Sequence, residues 1–410
     1  MRRIVVLGAG FGGFHATQAL EKALAGRRRV ELTVVADDPR FVFTPLIPNV
    51  ANGELDLASI TFPLNEQLGE HTRFVRERVE GIDLDRRVLR GAAQEIPFDY
   101  LMLAPGAEVH WYGNDEWAEH SITCKSASDA LAIRAHVEEA LAKASAMTDA
   151  EERARVLTFV FAGGGPTGVE LLAELRASLV EGVLATTNAP MRFILVEPRP
   201  ELLGALPESL RELAAEHLQR VGVELRLGRS VMGRDAHTVT LDDGEEIKAD
   251  TLFWCAGIKA PSFLSDSGLP TVDDGRLDVD VSLQLSGIEG VFAAGDACSP
   301  PEDVPQTAQV ATQQGPHAAN NLIASLSGRT QSPWRYTYQG DLITLGRPQA
   351  AVSIKGIAFQ GRPAYALYRL AYASLMPGAL KKLRIITEWL ESDAAAQRTR
   401  TNVELLESDH

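Results

Sequence analysis

Short, strongly apolar runs followed at once by glycine recur along the chain. The run RIVVL leads directly into Gly8, and a helical pattern follows from Phe14 to Ala25. The run LTFVFA leads into Gly163, and GVELLAEL follows with apolar residues three and four positions apart. Continuous β-branched and aromatic runs are typical of strands buried on both faces, and the longer spacing is typical of an amphipathic helix. Each segment therefore predicts a strand, a tight turn and a helix.

The order of features after each turn is the same, with Gly8 and Gly163 155 residues apart. A second apolar run ends near acidic residues in both copies, at Asp38 and at Glu197, and a hairpin-like stretch follows. Each copy closes on an apolar run with an aspartate seven residues before a glycine, Asp99–Gly106 and Asp250–Gly257. We therefore predict an α/β fold with two Rossmann-type domains, each a doubly wound parallel sheet carrying a β-meander.

Both glycine turns have the spacing GxGxxG, formed by Gly8, Gly10 and Gly13 and by Gly163, Gly165 and Gly168. The first glycine permits the tight turn, the second lets a pyrophosphate approach the backbone, and the third lets the helix pack closely on the strand. The helix N-terminus then faces the phosphate charge. Two copies in this context predict two dinucleotide sites; the alternative is two packing turns.

An acid after the second strand is expected to bind the adenosine ribose. Glu197 has this position in the second copy and favours NADH over NADPH, although Arg199 close by could accept a 2′-phosphate. In the first copy Ala36 stands where the strand ends, so the candidates are Asp37 and Asp38. For these two, an exposed turn before Pro39 is the alternative.

Composition narrows the class of protein. The chain has 410 residues and a net charge of −15, which argues against nucleic-acid binding. Its three cysteines include no CxxC pair, so we expect a reducing compartment, no disulfide framework and no metal site. We also expect neither a signal or transit peptide nor a membrane span, which predicts the cytoplasmic side.

A third glycine motif, VFAAGDA, contains Asp296 and resembles the flavin-binding strand of FAD-dependent pyridine-nucleotide reductases. Together with GAGFGG, FTPLIPNVANGELD, GGGPTGVELLAEL, LFWCAGIKAP and AQVATQQGPHAANNL, it resembles the type II NADH:quinone oxidoreductases from Arg2 to about Leu390. The resemblance implies hydride transfer from NADH to non-covalent FAD, then two-electron reduction of menaquinone or ubiquinone without proton pumping.

The resemblance also implies sites. For FAD it implies Gly8, Gly10, Gly12, Gly13, Asp37, Thr44, Pro45, Val79, Ala104, Gly106, Asp296, Ala308 and Gln309. For NADH it implies Gly163, Gly165, Pro166, Thr167, Gly168, Glu197 and Gly257. Pro105 stands where the family usually has threonine, which leaves one flavin contact open.

The expected catalytic residues are Glu170, Gln309 and Gln313. The resemblance places Glu170 toward nicotinamide and flavin, in the first turn of the second Rossmann helix, with a part in proton supply. A carboxylate favoured by the helix dipole is the alternative. Gln309 and Gln313, in AQxAxQ, resemble the segment on the quinone side of the flavin; helix capping is their alternative.

Basic residues accompany apolar stripes at helical spacing between Arg362 and Leu390, against the acidic balance of the chain. This favours a helix pair on an anionic membrane surface; a dimer interface or core packing would use the same stripes. We expect a homodimer, peripheral on the cytoplasmic face of the membrane. The predicted domains are FAD-binding (1–110 with 280–328), NADH-binding (111–279), membrane-association or dimer (329–392) and a polar tail (393–410).

Other functions use similar parts. Sulfide:quinone oxidoreductases need a cysteine pair near the flavin, and Cys124 has no evident second member. A flavin-bearing NAD(H) sensor of the apoptosis-inducing-factor type and a ferredoxin or rubredoxin reductase are further alternatives. Disulfide reductase activity is disfavoured because Cys124, Cys255 and Cys298 are far apart in sequence, and Cys255 lies in an apolar strand.

Overall fold

The apolar runs form two separate five-stranded parallel sheets, as predicted. The computed structural model describes residues 1–26, 29–181 and 190–408. The chain divides into two units, each made of three segments. The first consists of Met1–Val42, Thr61–His110 and Ile258–Tyr338, and the second of Phe43–Ile60, Trp111–Gly257 and Gln339–His410.

The elements of the first unit are β1 (Arg2–Leu7), α1 (Phe11–Leu24), β2 (Val30–Ala36), β3 (Arg40–Val42), β4 (Thr61–Pro63), α4 (Leu64–Gln67), β5 (Thr72–Arg76), β6 (Val79–Asp83), β7 (Val88–Gly91), β8 (Glu95–Pro97), β9 (Tyr100–Leu103), β10 (Glu108–Val109), β19 (Ile258–Lys259), α9 (Phe263–Asp266), β20 (Leu277–Asp278), β21 (Val291–Ala293), β22 (Cys298–Ser299) and α10 (Ala308–Leu326).

The main sheet of the first unit has the strand order β21–β9–β1–β2–β5, all parallel. Strand β1 lies at its centre with Ile4, Val5 and Val6 fully buried, because both faces of the sheet are covered. The antiparallel sheet β6–β7–β8 is the predicted meander. Strand β21, distant in sequence, completes the sheet beside β9, as the third glycine motif predicted.

The elements of the second unit are two short 3₁₀ helices (Thr44–Leu46 and Asp115–His120), α2 (Ile47–Ala51), α3 (Leu57–Ile60), β11 (Ile122–Thr123), α5 (Ala127–Ala146), α6 (Ala150–Val156), β12 (Thr158–Ala162), α7 (Pro166–Glu181), β13 (Arg192–Glu197), α8 (Glu208–Arg220), β14 (Glu224–Leu227), β15 (Val231–Arg234), β16 (Thr238–Leu241), β17 (Glu246–Lys248), β18 (Thr251–Trp254), β23 (Asp341–Thr344), β24 (Ala350–Ile354), β25 (Ile357–Gly361), α11 (Arg362–Leu375) and α12 (Ala379–Ser408).

The second unit repeats the arrangement of the first. Its main sheet has the order β11–β18–β12–β13–β14, all parallel, and β15–β16–β17 is its antiparallel meander. A further antiparallel sheet, β23–β24–β25, precedes the two C-terminal helices. The predicted duplication of the Rossmann unit is therefore confirmed.

The units differ from the expected domain boundaries in four places. Residues 43–60 belong to the second unit, 258–279 and 329–338 belong to the first, and 339–408 are part of the second unit. Residues 393–408, expected as a polar tail, continue α12, and 409–410 lie outside the described residues. Within the described chain, no helix has both the length and the apolar character that a membrane span requires.

Candidate functional site

The first glycine turn joins β1 to α1 with very little space around two of its glycines. Gly8 has φ +98°, and an added Cβ would lie 2.0 Å from the carbonyl oxygen of Ala104. A Cβ on Gly13 would lie 2.0 Å from the carbonyl oxygen of Gly8. At Gly10 a Cβ would meet no atom within 4 Å, so this position faces open space. The turn is thus closed toward the protein and open where a pyrophosphate would approach the backbone.

The second glycine turn, between β12 and α7, has the same geometry. A Cβ on Gly163 (φ +104°) would lie 2.5 Å from the carbonyl oxygen of Cys255, and a Cβ on Gly168 would lie 1.9 Å from that of Gly163. Gly165 again faces open space. A packing turn requires only the close approaches, so the open middle glycine in both copies favours the dinucleotide interpretation over that alternative.

Strand β21 brings the third glycine motif to the first turn. A Cβ on Gly12 would lie 3.3 Å from the carbonyl oxygen of Ala294, next to Gly295 (φ +81°) and Asp296. The Gly295 N–H donates to Oε1 of buried Gln314 at 2.7 Å. The first unit thus brings together Gly8, Gly12, Ala104 and the residues just before Asp296. Gln314, which sequence reasoning missed, holds this turn from α10.

The two predicted quinone-site glutamines lie on the first two turns of α10, and protein groups hold both. The Tyr336 hydroxyl donates to Oε1 of Gln309. The Gln313 amide pairs with the backbone of Thr337 in both directions, donating at 2.9 Å and accepting at 3.0 Å. Ala308 is the first residue of the helix, and Thr307 caps it by accepting the N–H of Val310. Thr307, and neither Gln309 nor Gln313, therefore caps this helix.

Other residues predicted for the flavin site are more dispersed. Asp37 is exposed, and its carboxylate accepts the N–H of Asp38 at 2.9 Å, whereas the Asp38 carboxylate pairs with Arg40. Because Arg40 holds the Asp38 carboxylate, Asp37 is the better of the two candidates for binding a ribose hydroxyl. Val79 is buried at the start of β6, and Gly106 has φ +74°. Thr44 and Pro45 form a 3₁₀ helix within the second unit.

Glu197 ends β13, as predicted, and both of its carboxylate oxygens accept backbone N–H groups. Gly164 donates to Oε2 at 2.6 Å and Arg199 donates to Oε1 at 2.9 Å. The carboxylate therefore braces the second glycine turn. Gly257 has φ +116°, and an added Cβ would lie 2.3 Å from the Tyr112 hydroxyl, so Tyr112 is a neighbour of this position that sequence reasoning missed.

Glu170 is deeply buried, and its position corrects one expectation. Helix α7 begins at Pro166, and no acid lies in its first turn, so Glu170 lies in the second turn. Because dipole stabilisation fades beyond the first turn, it does not explain this carboxyl group. Burial raises the pKa of Glu170 to about 8, and Glu174 acts in the same direction, while the Thr344 N–H opposes the shift. Glu170 therefore holds its proton at neutral pH.

Sequence reasoning missed a network of buried polar side chains beside Glu170. Glu174 is fully buried one turn further along α7, where the i, i+4 spacing to Glu170 was a readable signal. Its carboxyl group pairs with the Thr344 hydroxyl and accepts the Asn52 amide at 2.9 Å. Burial, reinforced by the Glu54 carboxylate, raises the pKa of Glu174 as well.

The C-terminal stripes form two faces rather than one. Tyr368, Met376 and Trp389 belong to the apolar stripes and are buried in the second unit, so this part of the stripes is core packing. Arg369 is a structural cation, because it pairs with Glu54 and Asp393 at 2.6 Å each. The opposite face carries six exposed apolar side chains: Leu370, Leu375, Leu380, Leu383, Ile386 and Leu390.

The three cysteines are free thiols, of which Cys124 and Cys298 are buried and Cys255 is partly exposed. Burial raises the pKa of Cys255 and of Cys298 to about 12 in each case, so neither is a ready nucleophile. Among the residues that the structure describes, no group of three or more His, Cys, Asp or Glu side chains is placed to hold a metal ion.

Known proteins resemble this chain over nearly its full length. It is 29% identical to the type II NADH:quinone oxidoreductase Ndh of Mycobacterium tuberculosis, with 98% of this chain and 90% of that protein covered. It is also 29% identical to the demethylphylloquinone reductase NdbB of Synechocystis sp., with 95% of each covered. The first of these proteins bears the name of the family that the motifs resemble.

Among solved structures, the fold is similar to that of NDH2 from Plasmodium falciparum in complex with NADH, with a TM-score of 0.87, 16% identity, and 96% of this chain and 98% of that chain covered. The sulfide:quinone oxidoreductase from Aquifex aeolicus is similar with a TM-score of 0.77, 18% identity, and 94% and 92% coverage. The sequence model of the pyridine nucleotide-disulphide oxidoreductases matches residues 2–315. With both glycine turns in place, the chain belongs to the pyridine nucleotide-disulphide oxidoreductase family.

Proposed function

We propose that this protein is a type II NADH:quinone oxidoreductase that uses FAD. The observation that carries the proposal is the pair of glycine turns, each closed toward the protein and open at its middle glycine. Two such turns provide for two dinucleotides, one as a resident cofactor and one as a substrate. The full-length similarity to an enzyme named for NADH and quinone supports this choice of substrates.

The residues of the first unit fit a non-covalent FAD. Gly10 leaves its backbone open to a pyrophosphate, and Gly8 and Gly13 allow the tight turn beneath it. Asp37 is the available partner for the adenosine ribose, and the turn at Gly295 and Asp296 follows β21 beside Gly12. When bound, FAD would accept two electrons from NADH and pass them to a quinone.

The second unit would bind NADH at Gly163, Gly165 and Gly168, with Pro166 and Thr167 beginning the helix that faces the pyrophosphate. Glu197 favours a free ribose hydroxyl, since a 2′-phosphate would meet its negative charge. Its two backbone hydrogen bonds orient the carboxylate before a nucleotide arrives. Gly257 and Glu170 complete the set that we assign to NADH binding and turnover.

We assign quinone binding to the AQxAxQ segment, with Gln309 and Gln313 as its polar side chains. Tyr336 and Thr337 hold these amides, so their positions are set without a ligand. Either menaquinone or ubiquinone is compatible with this assignment. Glu170, protonated at neutral pH, is suited to supply the proton that quinol formation needs.

The exposed leucine face of α11 and α12 is the proposed contact with the membrane on its cytoplasmic side. A long-tailed quinone remains in the bilayer, so a peripheral enzyme must bind the surface. Leu380 and Leu383 are 83% and 62% exposed, and Lys381 and Lys382 lie between them in the chain. Apolar burial and attraction to anionic lipid together give reversible binding. A homodimer that leaves this face free would also bind the membrane reversibly.

The test is anaerobic reduction of the holoenzyme followed by reoxidation. NADH should bleach the visible flavin band, and a menaquinone or ubiquinone analogue should restore it. Sulfide should not replace NADH as the reductant. Bleaching by sulfide and not by NADH would instead indicate a sulfide:quinone oxidoreductase, and bleaching without restoration by any quinone would indicate an NAD(H)-binding protein of another kind.

A further inference from the structure

A cavity of about 240 Å³ lies in the second unit, bounded by α7, α8, the turn between β23 and β24, and the start of α11. We call it the arginine cavity, because Arg176, Arg347 and Arg362 belong to its lining. At about 30 Å³ for each water molecule, it has room for roughly eight of them. A small organic molecule with a similar number of non-hydrogen atoms would therefore fit.

One wall of the arginine cavity is fixed by close contacts between α7 and the hairpin turn. Gly346 (φ +82°) lies against α7, where an added Cβ would be 2.5 Å from the carbonyl oxygen of Ala173 and 3.0 Å from the Cβ of Ala177. The Leu345 N–H donates to the Gln349 carbonyl oxygen at 2.9 Å, and the Gln349 N–H donates to that of Gly346 at 2.7 Å. The wall is thus formed before any ligand arrives.

The three guanidinium groups come from three separate elements. Arg176 lies on α7, and its Nε donates to the carbonyl oxygen of Val221, just after α8, at 2.7 Å. Arg347 lies in the hairpin turn, and its Nη1 donates to the Ser392 hydroxyl at 2.7 Å. Arg362 is the first residue of α11 and is exposed, so it lies at the rim. Elements distant in sequence therefore gather cations around one cavity.

Carboxylates do not balance all of this positive charge. Arg347 lies 3.6 Å from Glu54 and 3.5 Å from Asp393, and it shares both carboxylates with Arg369, so these four groups balance. The Arg362 side chain has no hydrogen bond or ion pair with any residue that the structure describes. The described lining includes neither Asp nor Glu, although the chain has 55 acidic and 40 basic residues. Gathering cations in a partly buried place is costly, and an anion from solution would remove that cost.

The rest of the lining indicates what kind of anion would fit. Guanidinium groups bind carboxylates and phosphates through paired N–H donors. Leu218, Leu345 and Pro348 provide apolar walls that suit the carbon atoms of a ligand, and His217 adds a polar ring. Pockets for drug-sized ligands measure about 300–1,000 Å³, so this smaller cavity is unsuited to a dinucleotide. Its lining and size together match a small organic anion.

We propose that the arginine cavity binds a small organic dianion, either a phosphate ester or a dicarboxylate, with Arg176 and Arg362 as its main ligands. The site is distinct from the NADH site, because Arg176 lies ten residues after Pro166, about 15 Å further along α7. A bound dianion would connect α7 with α11 and so stabilise the second unit. The site does not depend on which substrates the enzyme uses, so it can fail while the proposed function holds.

The first test is calorimetric titration of the holoenzyme in a phosphate-free buffer, with saturating NAD⁺ to fill the nucleotide site. The probes are 2-phosphoglycolate, a phosphate ester, and succinate, a dicarboxylate. We expect at least one probe to bind once per chain, and Arg362→Gln to weaken that binding about tenfold or more. This variant should fold, because Arg362 is exposed. Arg220→Gln removes the same charge from an exposed position of α8 outside the lining, so it should bind as the wild type does.

The second test locates the bound probe without a substitution. Phenylglyoxal modifies accessible arginines, and mass spectrometry of the digested protein measures the modification at each one. With the probe at ten times its Kd, the modification of Arg362 should slow about tenfold, and that of Arg220 should not change.

Binding of one probe alone would assign the arginine cavity to that class of anion. Failure of both probes to bind would overturn the proposal. Binding that Arg362→Gln leaves unchanged, or that does not protect Arg362 from phenylglyoxal, would also overturn it, because the anion would then lie elsewhere.

Discussion

Replacing Glu170 by glutamine should make the second unit more stable, and increasingly so as the pH rises. The folded state holds this carboxyl group with a pKa of about 8, against 4.5 for an unperturbed glutamate. Between those values the unfolded chain loses its proton freely and the folded chain does not. The ionised unfolded state is thereby favoured, so the wild type loses stability as the pH rises from about 4.5 to about 8.

The magnitude follows from the size of the shift. One pKa unit corresponds to about 1.4 kcal/mol, so the 3.5-unit difference between 4.5 and about 8 costs at most about 5 kcal/mol above pH 8 and about 3 kcal/mol at pH 7. Glutamine keeps the shape and can still accept the Thr344 N–H, and it does not titrate. The gain from Glu170→Gln should therefore grow by about 3 kcal/mol between pH 5 and pH 8.

The assay is urea unfolding of the wild type and of Glu170→Gln at several pH values, at one fixed FAD concentration because bound ligand also stabilises. Glu216→Gln is the matched control, since Glu216 is exposed on α8. A difference between Glu170→Gln and the wild type that stays constant from pH 5 to pH 8 would refute the reasoning. The same result would show that Glu170 ionises in the folded protein as it does in the unfolded chain.

Three further predictions test the nucleotide and membrane sites. Gly165→Ala should fold normally and weaken NADH binding, because its Cβ would occupy the open side of the turn. Gly168→Ala should destabilise the fold, because its Cβ would lie 1.9 Å from the Gly163 carbonyl oxygen. Thermal unfolding measures the loss of stability, and NADH titration measures the loss of binding. Glu197→Gln should raise the KM for NADH about tenfold and narrow the preference for NADH over NADPH, as measured by steady-state kinetics with both nucleotides. An unchanged preference would contradict the assignment of Glu197 to the ribose. The double variant Leu380→Gln, Leu383→Gln should bind anionic liposomes with a binding free energy weaker by on the order of 2 kcal/mol, as measured by sedimentation. Leu131→Gln, which changes an exposed leucine elsewhere, is the control and should bind as the wild type does.

Most of the fold could be predicted because its signals are local. Continuous apolar runs and glycine turns locate β1, β12 and their helices, and the repeat of these features predicts two sheets of the same kind. The assignment of residues 43–60 to the second unit could not be read in this way. It depends on the packing of α2 against α5 and α7, which are distant in the chain, and a single sequence carries no periodic signal for such contacts.

The candidate site was predictable to a similar degree. The glycine turns, Glu170 and Glu197 stand in motifs with a physical reason for each residue. Thr344, Arg347 and Asn52 stand in no motif, because their role is set by long-range hydrogen bonds to Glu174 and its surroundings. The stripes of α11 and α12 predicted apolar faces, but periodicity alone does not tell which face the protein covers and which it leaves exposed.

The interleaving of the two units affects how the protein must be made. Strand β9 of the first sheet reaches its edge partner β21 only after Val291–Ala293 have been synthesised, about 190 residues later in the chain. The second unit receives Arg369, the ion-pair partner of its buried Glu54, 315 residues later in the chain. In an incomplete chain, the edge of β9 is therefore unpaired, and Glu54 lacks the cation that neutralises it in the folded protein. Such a nascent chain is prone to aggregate, so folding should depend on protection until β21 and Arg369 have been synthesised.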